Sequence, residues 1–141
     1  AISSKNENVV EKKKRVQKYG ITFYLKYRKN VFIQKNEEKL LNGLMQFPSS
    51  KYENYENNKD LNLLLKNKTK EWMKQNLPEI DFFEMGSINH NFSHFKLKLG
   101  IVKVLFNEKK KLSLAGSWIK EKSFKNYAFS KLMVKVIDEI K

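Results

Sequence analysis

The chain has no cysteine, which excludes disulfides, iron–sulfur ligation and thiolate zinc sites within its 141 residues. Histidine is nearly as scarce. His90 and His94 are the only imidazoles, and two nitrogen ligands do not complete a metal site unaided. No apolar run approaches the roughly 20 residues that span a bilayer, and no signal peptide opens the sequence. The expectation is a soluble cytoplasmic domain with no membrane partner. Acid is the other shortage: 15 Asp and Glu face 29 Lys and Arg, for a net charge of +14. Such a field attracts polyanions through counterion release. The lysine-rich composition of an AT-rich genome gives the same excess, so both readings stay open.

What remains suits one folded domain. Hydrophobic residues make up 40% and aromatics 13%, with ten Phe and six Tyr, and a chain of this size buries roughly two-thirds of its unfolded surface. Residues 1–19, with the run Lys12-Lys13-Lys14-Arg15, read as a basic interdomain linker. Ala1 in place of Met suggests a fragment of a longer protein. Residues 20–141 read as the domain proper.

From Gly20, Ile21, Phe23, Leu25 and Tyr27 alternate with polar positions, the period of a half-buried strand. Lys29-Asn30 breaks it, and Val31–Gln34 resumes as the second strand of a hairpin. Residues 36–39 are charged and exposed. Met45-Gln46-Phe47 is a short strand stopped by Pro48. After a polar loop, Leu61, Leu64, Leu65 and Trp72 mark a helix, capped by Asp60 or Asn58 and ended before Leu77-Pro78. Phe82, Phe83 and Met85 begin a further strand. A long alternation follows from Phe95 to Phe106, with a change of face and a bulge expected near Gly100. Residues 112–119 suggest another strand, ending at Trp118-Ile119. Phe129, Leu132, Met133, Val136, Ile137 and Ile140 form one stripe of a C-terminal helix, most simply core. The pattern predicts a mixed α/β (α+β) domain.

The segment Leu40-Leu41-Asn42-Gly43-Leu44-Met45-Gln46-Phe47-Pro48, the loop His90-Asn91-Phe92-Ser93-His94, the pair Trp118-Ile119 and Tyr127-Ala128-Phe129 occur in a specific order. Together they resemble the C-terminal domain of MutY-type A/G-specific adenine DNA glycosylases, over residues 20–140. Met45 and Gln46 depart from that family's usual Trp and Glu. Met fills the same apolar space, and Gln46 removes an acid. The resemblance implies a Nudix-like fold, a mixed β-sheet flanked by a central helix and a C-terminal helix. It also implies recognition of 8-oxoguanine opposite adenine in double-stranded DNA, in base excision repair. The catalytic carboxylates and the 4Fe–4S cluster of that family lie in an N-terminal glycosylase domain, expected as the partner in the same protein. No catalytic residue, metal or cofactor is expected in this segment, which should be monomeric.

Nudix enzymes instead need a helix with R-E-x-x-E-E, whose carboxylates converge on divalent cations. The matching stretch here, Lys66-Asn67-Lys68-Thr69-Lys70-Glu71, is basic with one carboxylate. Glu53, Glu56 and Asp60 lack the spacing, and Ser49-Ser50 stand where glycines are common. A divergent Nudix phosphohydrolase acting on nucleotides is the alternative, and a generic basic module for RNA or protein is the third reading. Ser93 and His94, read as neighbours on a strand, should point to opposite faces and form no dyad.

The lesion differs from guanine at two atoms: N7 carries a proton, and C8 carries an oxygen. A serine hydroxyl can accept from N7–H and donate to O8, so Ser93 is the first candidate for lesion recognition. Phe92 either packs under the loop or acts as a wedge near the base stack. His94 contacts phosphate or braces the loop by a hydrogen bond, and His90 braces it. Lys96 and Lys98, on the polar side of the following strand, are candidates for phosphate contact.

Overall fold

The computed structural model describes residues 15–36 and 43–141. Lys12-Lys13-Lys14, the charged residues 37–39 and Leu40-Leu41-Asn42 lie outside the described residues. Seven strands form one mixed sheet: β1 (Val16–Tyr27), β2 (Asn30–Lys35), β3 (Met45–Gln46), β4 (Glu53–Asn54), β5 (Phe83–Asn91), β6 (Phe95–Phe106) and β7 (Ser117–Lys120). Their order is β3-β2-β1-β6-β5, with β4 on β1 and β7 on β2. Helix α1 (Leu61–Asn76) covers one face, and α2 (Lys131–Ile140) covers the other.

The strand β1 begins at Val16, so residues 16–19, expected as the end of a linker, are already sheet. Its pairing with β6 is parallel and unbroken, from Val16 opposite Phe95 to Tyr27 opposite Phe106. The half-buried expectation for β1 needs correction, because Tyr19 to Leu25 are buried on both faces. Ile21, Phe23 and Leu25 pack under α1, while Tyr24 faces α2. A helix on each side leaves the central strand no wet face.

Tyr27 and Asn30 pair across a tight turn at Arg28-Lys29, one residue before the expected break, with Arg28 in the left-handed region at φ 52°. Beyond that turn β1 and β2 diverge, and the chain from Met45 to Asn54 fills the fork. Phe23 N–H donates to the Pro48 carbonyl at 2.8 Å. Ser50 Oγ accepts from Ile21 N–H at 2.9 Å, and Ser49 Oγ donates to Thr22 Oγ1 at 2.9 Å. Ser50 and the Pro48 carbonyl pair backbone groups of β1 that would otherwise be unmet, and Ser49 adds a side-chain link to the same strand.

No bulge sits at Gly100. Leu97, Leu99 and Ile101 face α2, whereas Val102, Val104 and Phe106 face α1, in strict alternation through one regular strand. The change seen in the sequence is a change of cover: α2 shields the first half of β6, and α1 the second. The irregularity lies on the neighbouring strand β5, between Glu84 and Ser87, where Gly86 takes φ 96°. Gly100 serves close approach instead, since a Cβ there would meet Ile21 Cδ1 at 2.7 Å.

Asp60 caps α1, its carboxylate accepting from Leu63 N–H at 3.2 Å. Trp72 then lies flat on Phe23, ring centroids 3.8 Å apart at 14°. Of the expected strand 112–119 only residues 117–119 are strand, and β7 runs one residue further to Lys120. Leu112 and Leu114 still reach the α1-side core from irregular chain. Ser130 caps α2, accepting from Met133 N–H at 3.3 Å, and Leu132, Met133 and Val136 are buried as the stripe predicts.

Phe47, fully buried, joins β3 to the chain leading into α2. Its ring contacts Tyr24, Phe124 and Phe129 at centroid distances of 5.1, 6.0 and 5.7 Å. Truncation by Phe47→Ala is expected to cost about 3–5 kcal/mol. The measurement is urea denaturation, with a lower midpoint and an unchanged slope.

Candidate nucleic-acid interface

Strands β5 and β6 form a hairpin whose turn is Phe92–Phe95. Phe92 N–H donates to the Phe95 carbonyl at 2.8 Å, which leaves Ser93 and His94 exposed at the tip. Both residues lie in the turn and not in a strand, so the expected opposition of their side chains does not apply. They share no hydrogen bond, and the Ser93 hydroxyl has no partner among the described residues. Its proton and both lone pairs stay available.

Below the tip the turn is held by aromatic packing. Phe92 is half-buried and lies 4.6 Å from Phe95 at 26°, with the His90 ring against it at 4.6 Å and 72°. On the far side, Phe95 meets Tyr52 at 6.4 Å and carries the Lys18 ammonium 5.0 Å above its ring. Phe92 packs beneath the turn, against His90, Phe95 and the α2-side core. His90 braces by ring contact. Its Nδ1 is buried without a hydrogen-bond partner, contrary to the hydrogen-bonded brace expected from sequence. Desolvation holds the His90 pKa below its ordinary 6.5, helped by the nearby charges of Lys135 and Lys131. Lys96 and Lys98 alternate with buried Leu97 and Leu99, so they stand on the α1 side of the sheet; Lys96 is exposed and Lys98 half-buried.

Three features escaped the sequence reading. Glu53 on β4 is tied at 3.0 Å to Lys68 of α1 and accepts from the Tyr19 hydroxyl at 3.0 Å. The bonds from Lys68 and then Tyr19 lower the Glu53 pKa, while desolvation first, and Glu53 second, raise that of Tyr19. On the other face, the buried Tyr24 hydroxyl donates to Glu121, which also pairs with Lys26 at 2.9 Å. Burial and the Glu121 contact push the Tyr24 pKa upward. The third feature is a shallow cleft of about 560 Å³, lined by Arg15, Gln17, Asn54, Tyr55 and Glu56. Val16 pairs with Phe95, which sets this cleft near the hairpin tip. Only spatial pairing of distant residues reveals these groups, and none has a local motif.

The helix that carries converging carboxylates in cation-dependent enzymes is basic here. Thr69 is buried and bonded to the Leu65 carbonyl at 2.9 Å, Lys68 is engaged by Glu53, and Glu71 is the one acid within Leu61–Asn76. Among the described residues no three of His, Asp and Glu converge to hold a metal. This donor set does not fit a divalent cation, which requires several oxygen ligands.

Residues 21–139 match the NUDIX domain family. The chain belongs to that family. Among curated proteins, none is similar enough to count as a relative. Solved structures with the same NUDIX architecture include the C-terminal domain of mouse MUTYH in its complex with human PCNA. That domain has a TM-score of 0.64 and 20% identity, over 87% of this chain and 86% of that one. PCNA is a partner other than the DNA and glycosylase domain expected from sequence. The MutT protein from Methanosarcina mazei Go1 has a TM-score of 0.58 and 10% identity, over 87% of this chain and 91% of that one. The E. coli dihydroneopterin triphosphate pyrophosphohydrolase also has a TM-score of 0.58 and 10% identity, over 87% and 92%. At such identities the likeness is one of fold.

The His90 environment gives this NUDIX domain a defined pH response. A folded pKa below the unfolded one means that the native state binds fewer protons, so the His90 contribution is complete above about pH 6.5 and is lost as pH falls. Unfolding midpoints measured from about pH 7.5 to about 5 should therefore decline, and His90→Phe should flatten that decline. An equally steep fall in the variant would assign the effect to other groups.

Proposed function

We propose that this NUDIX domain is the lesion-recognition domain of a MutY-type adenine DNA glycosylase, reading 8-oxoguanine opposite adenine in duplex DNA. The observation that carries the reading is the Ser93 hydroxyl, exposed and unpartnered at a turn fixed from beneath by Phe92 and Phe95. A rigid turn with one free hydroxyl can accept from N7–H and donate to O8 of the oxidised base. Guanine offers an acceptor at N7 and nothing at C8, so one of the two bonds is lost. His94 beside it, with Lys96 and Lys98 along β6, supplies phosphate contacts that position the turn. Base excision belongs to an N-terminal glycosylase domain of the same protein, with its own carboxylates and 4Fe–4S cluster. On this reading the segment is a cytoplasmic, monomeric module without a reaction of its own.

Support comes from the ordered motifs, from the fold shared with the mouse MUTYH domain, and from the loss of acidic groups on α1. A second reading, a nucleotide phosphohydrolase, is favoured by the likeness to the E. coli pyrophosphohydrolase fold. The basic α1 and the pairing of Glu53 with Lys68 weigh against it.

Two measurements separate these readings. In the parent glycosylase, Ser93→Ala should reduce the preference for 8-oxoguanine over guanine opposite adenine by roughly 1 kcal/mol, about five-fold. Single-turnover excision on the two duplexes measures it, and unchanged discrimination would remove Ser93 from the recognition site. The 141-residue chain should release no phosphate or pyrophosphate from oxidised or normal nucleoside triphosphates with magnesium or manganese. Turnover there would establish the hydrolase reading instead.

A further inference from the structure

Helix α1 carries Lys66, Lys70 and Lys74 at four-residue steps, all exposed and none in an ion pair among the described residues. Four-residue steps stack side chains on one face at intervals of about 6 Å. Three like charges in such a row repel one another and weaken the helix. The usual compensation is missing, since the first turn holds no acid and the only carboxylate within α1 is Glu71. Helix α2 differs, for Lys131 and Lys135 are followed there by Asp138 and Glu139.

The two faces of the sheet are therefore unlike in charge. Lys96 and Lys98 stand on the α1 side, next to the strand position Gly100, which Leu65 of α1 approaches. The exposed ammonium groups of α1 and of β6 thus share one side of the domain, the side opposite α2. The β6 lysines continue into the hairpin that ends at Ser93 and His94.

We propose that this side is a phosphate track, in which Lys66, Lys70 and Lys74 neutralise successive backbone phosphates of the duplex whose lesion the hairpin reads. The assignment rests on the DNA-recognition reading and adds the surface that supplies its affinity. A polyanion relieves the repulsion within the lysine row, and counterion release provides the driving force. The row carries no base preference, because an ammonium group on phosphate reads charge and not sequence.

Fluorescence anisotropy with a labelled, undamaged duplex and the 141-residue chain tests the track. The variant Lys66→Gln/Lys70→Gln/Lys74→Gln should bind more weakly, and its plot of log K against log salt should be shallower by about 2.7, or about 0.9 per phosphate contact. A control, Lys109→Gln/Lys110→Gln/Lys111→Gln, removes the same charge from the exposed turn after β6 and should change the slope much less. Both variants should keep the unfolding midpoint of the parent chain or raise it. An unchanged slope in the α1 variant, or equal losses in the two variants, would overturn the proposal. Its failure is separable from that of the lesion reading, since Ser93→Ala is scored on discrimination and the lysine row on salt dependence.

Discussion

The parallel pairing of β1 with β6 fixes the position of everything else in this domain. Both strands are buried along their middle, one helix lies on each side, and twelve consecutive residue pairs hold them in register. The same pairing sets the hairpin at one end of the sheet, because β6 starts where β1 starts. Phe95 is at once the first residue of β6, the partner of Val16 and the stacking platform of Phe92. A turn anchored in this way has little freedom left in its backbone, and its two exposed residues inherit that order.

Charge organises the rest. A carboxylate already paired with a protein cation is a poor cation ligand, and exposed Glu53 is held by the Lys68 ammonium and accepts from the Tyr19 hydroxyl. That contact ties β4 to α1. Tyr24, Glu121 and Lys26 do the same on the opposite face, holding the 3-10 helix Glu121–Asn126 onto β1. Polar groups of this kind are favourable because each donor finds its acceptor. Nδ1 of His90 is the exception among the described residues, and the His90 pKa is lowered by desolvation and then by the charges of Lys135 and Lys131.

Much of this was legible in the residues. Periodicity located the long strands and both helices, because the buried side of each is continuous in sequence. The H-N-F-S-H segment was legible as a loop, but Ser93 and His94 were read as strand neighbours where the structure has a hairpin turn. The face change in β6 was visible, but its cause was not: an alternating strand covered on different sides in its two halves looks like a bulged one. Leu112 and Leu114 imitated a strand because irregular chain can also bury alternate residues. Side-chain pairs such as Glu53 with Lys68, or Tyr24 with Glu121, leave no trace in a linear pattern. Their partners meet only after the sheet has closed.

On the proposed reading, affinity and discrimination reside on different elements. A single hydroxyl distinguishes two bases by on the order of 1 kcal/mol, too little to select a rare lesion among many normal pairs. Lysine contacts to phosphate add affinity but treat lesion and normal duplex alike. Their product still favours the lesion only by the small factor from the hydroxyl. A domain built this way must therefore act with a second reader, and the free energy it contributes is spent on orienting that reader over the opposing adenine. Selectivity then multiplies across two sites held on one duplex, neither of which needs to be strong by itself.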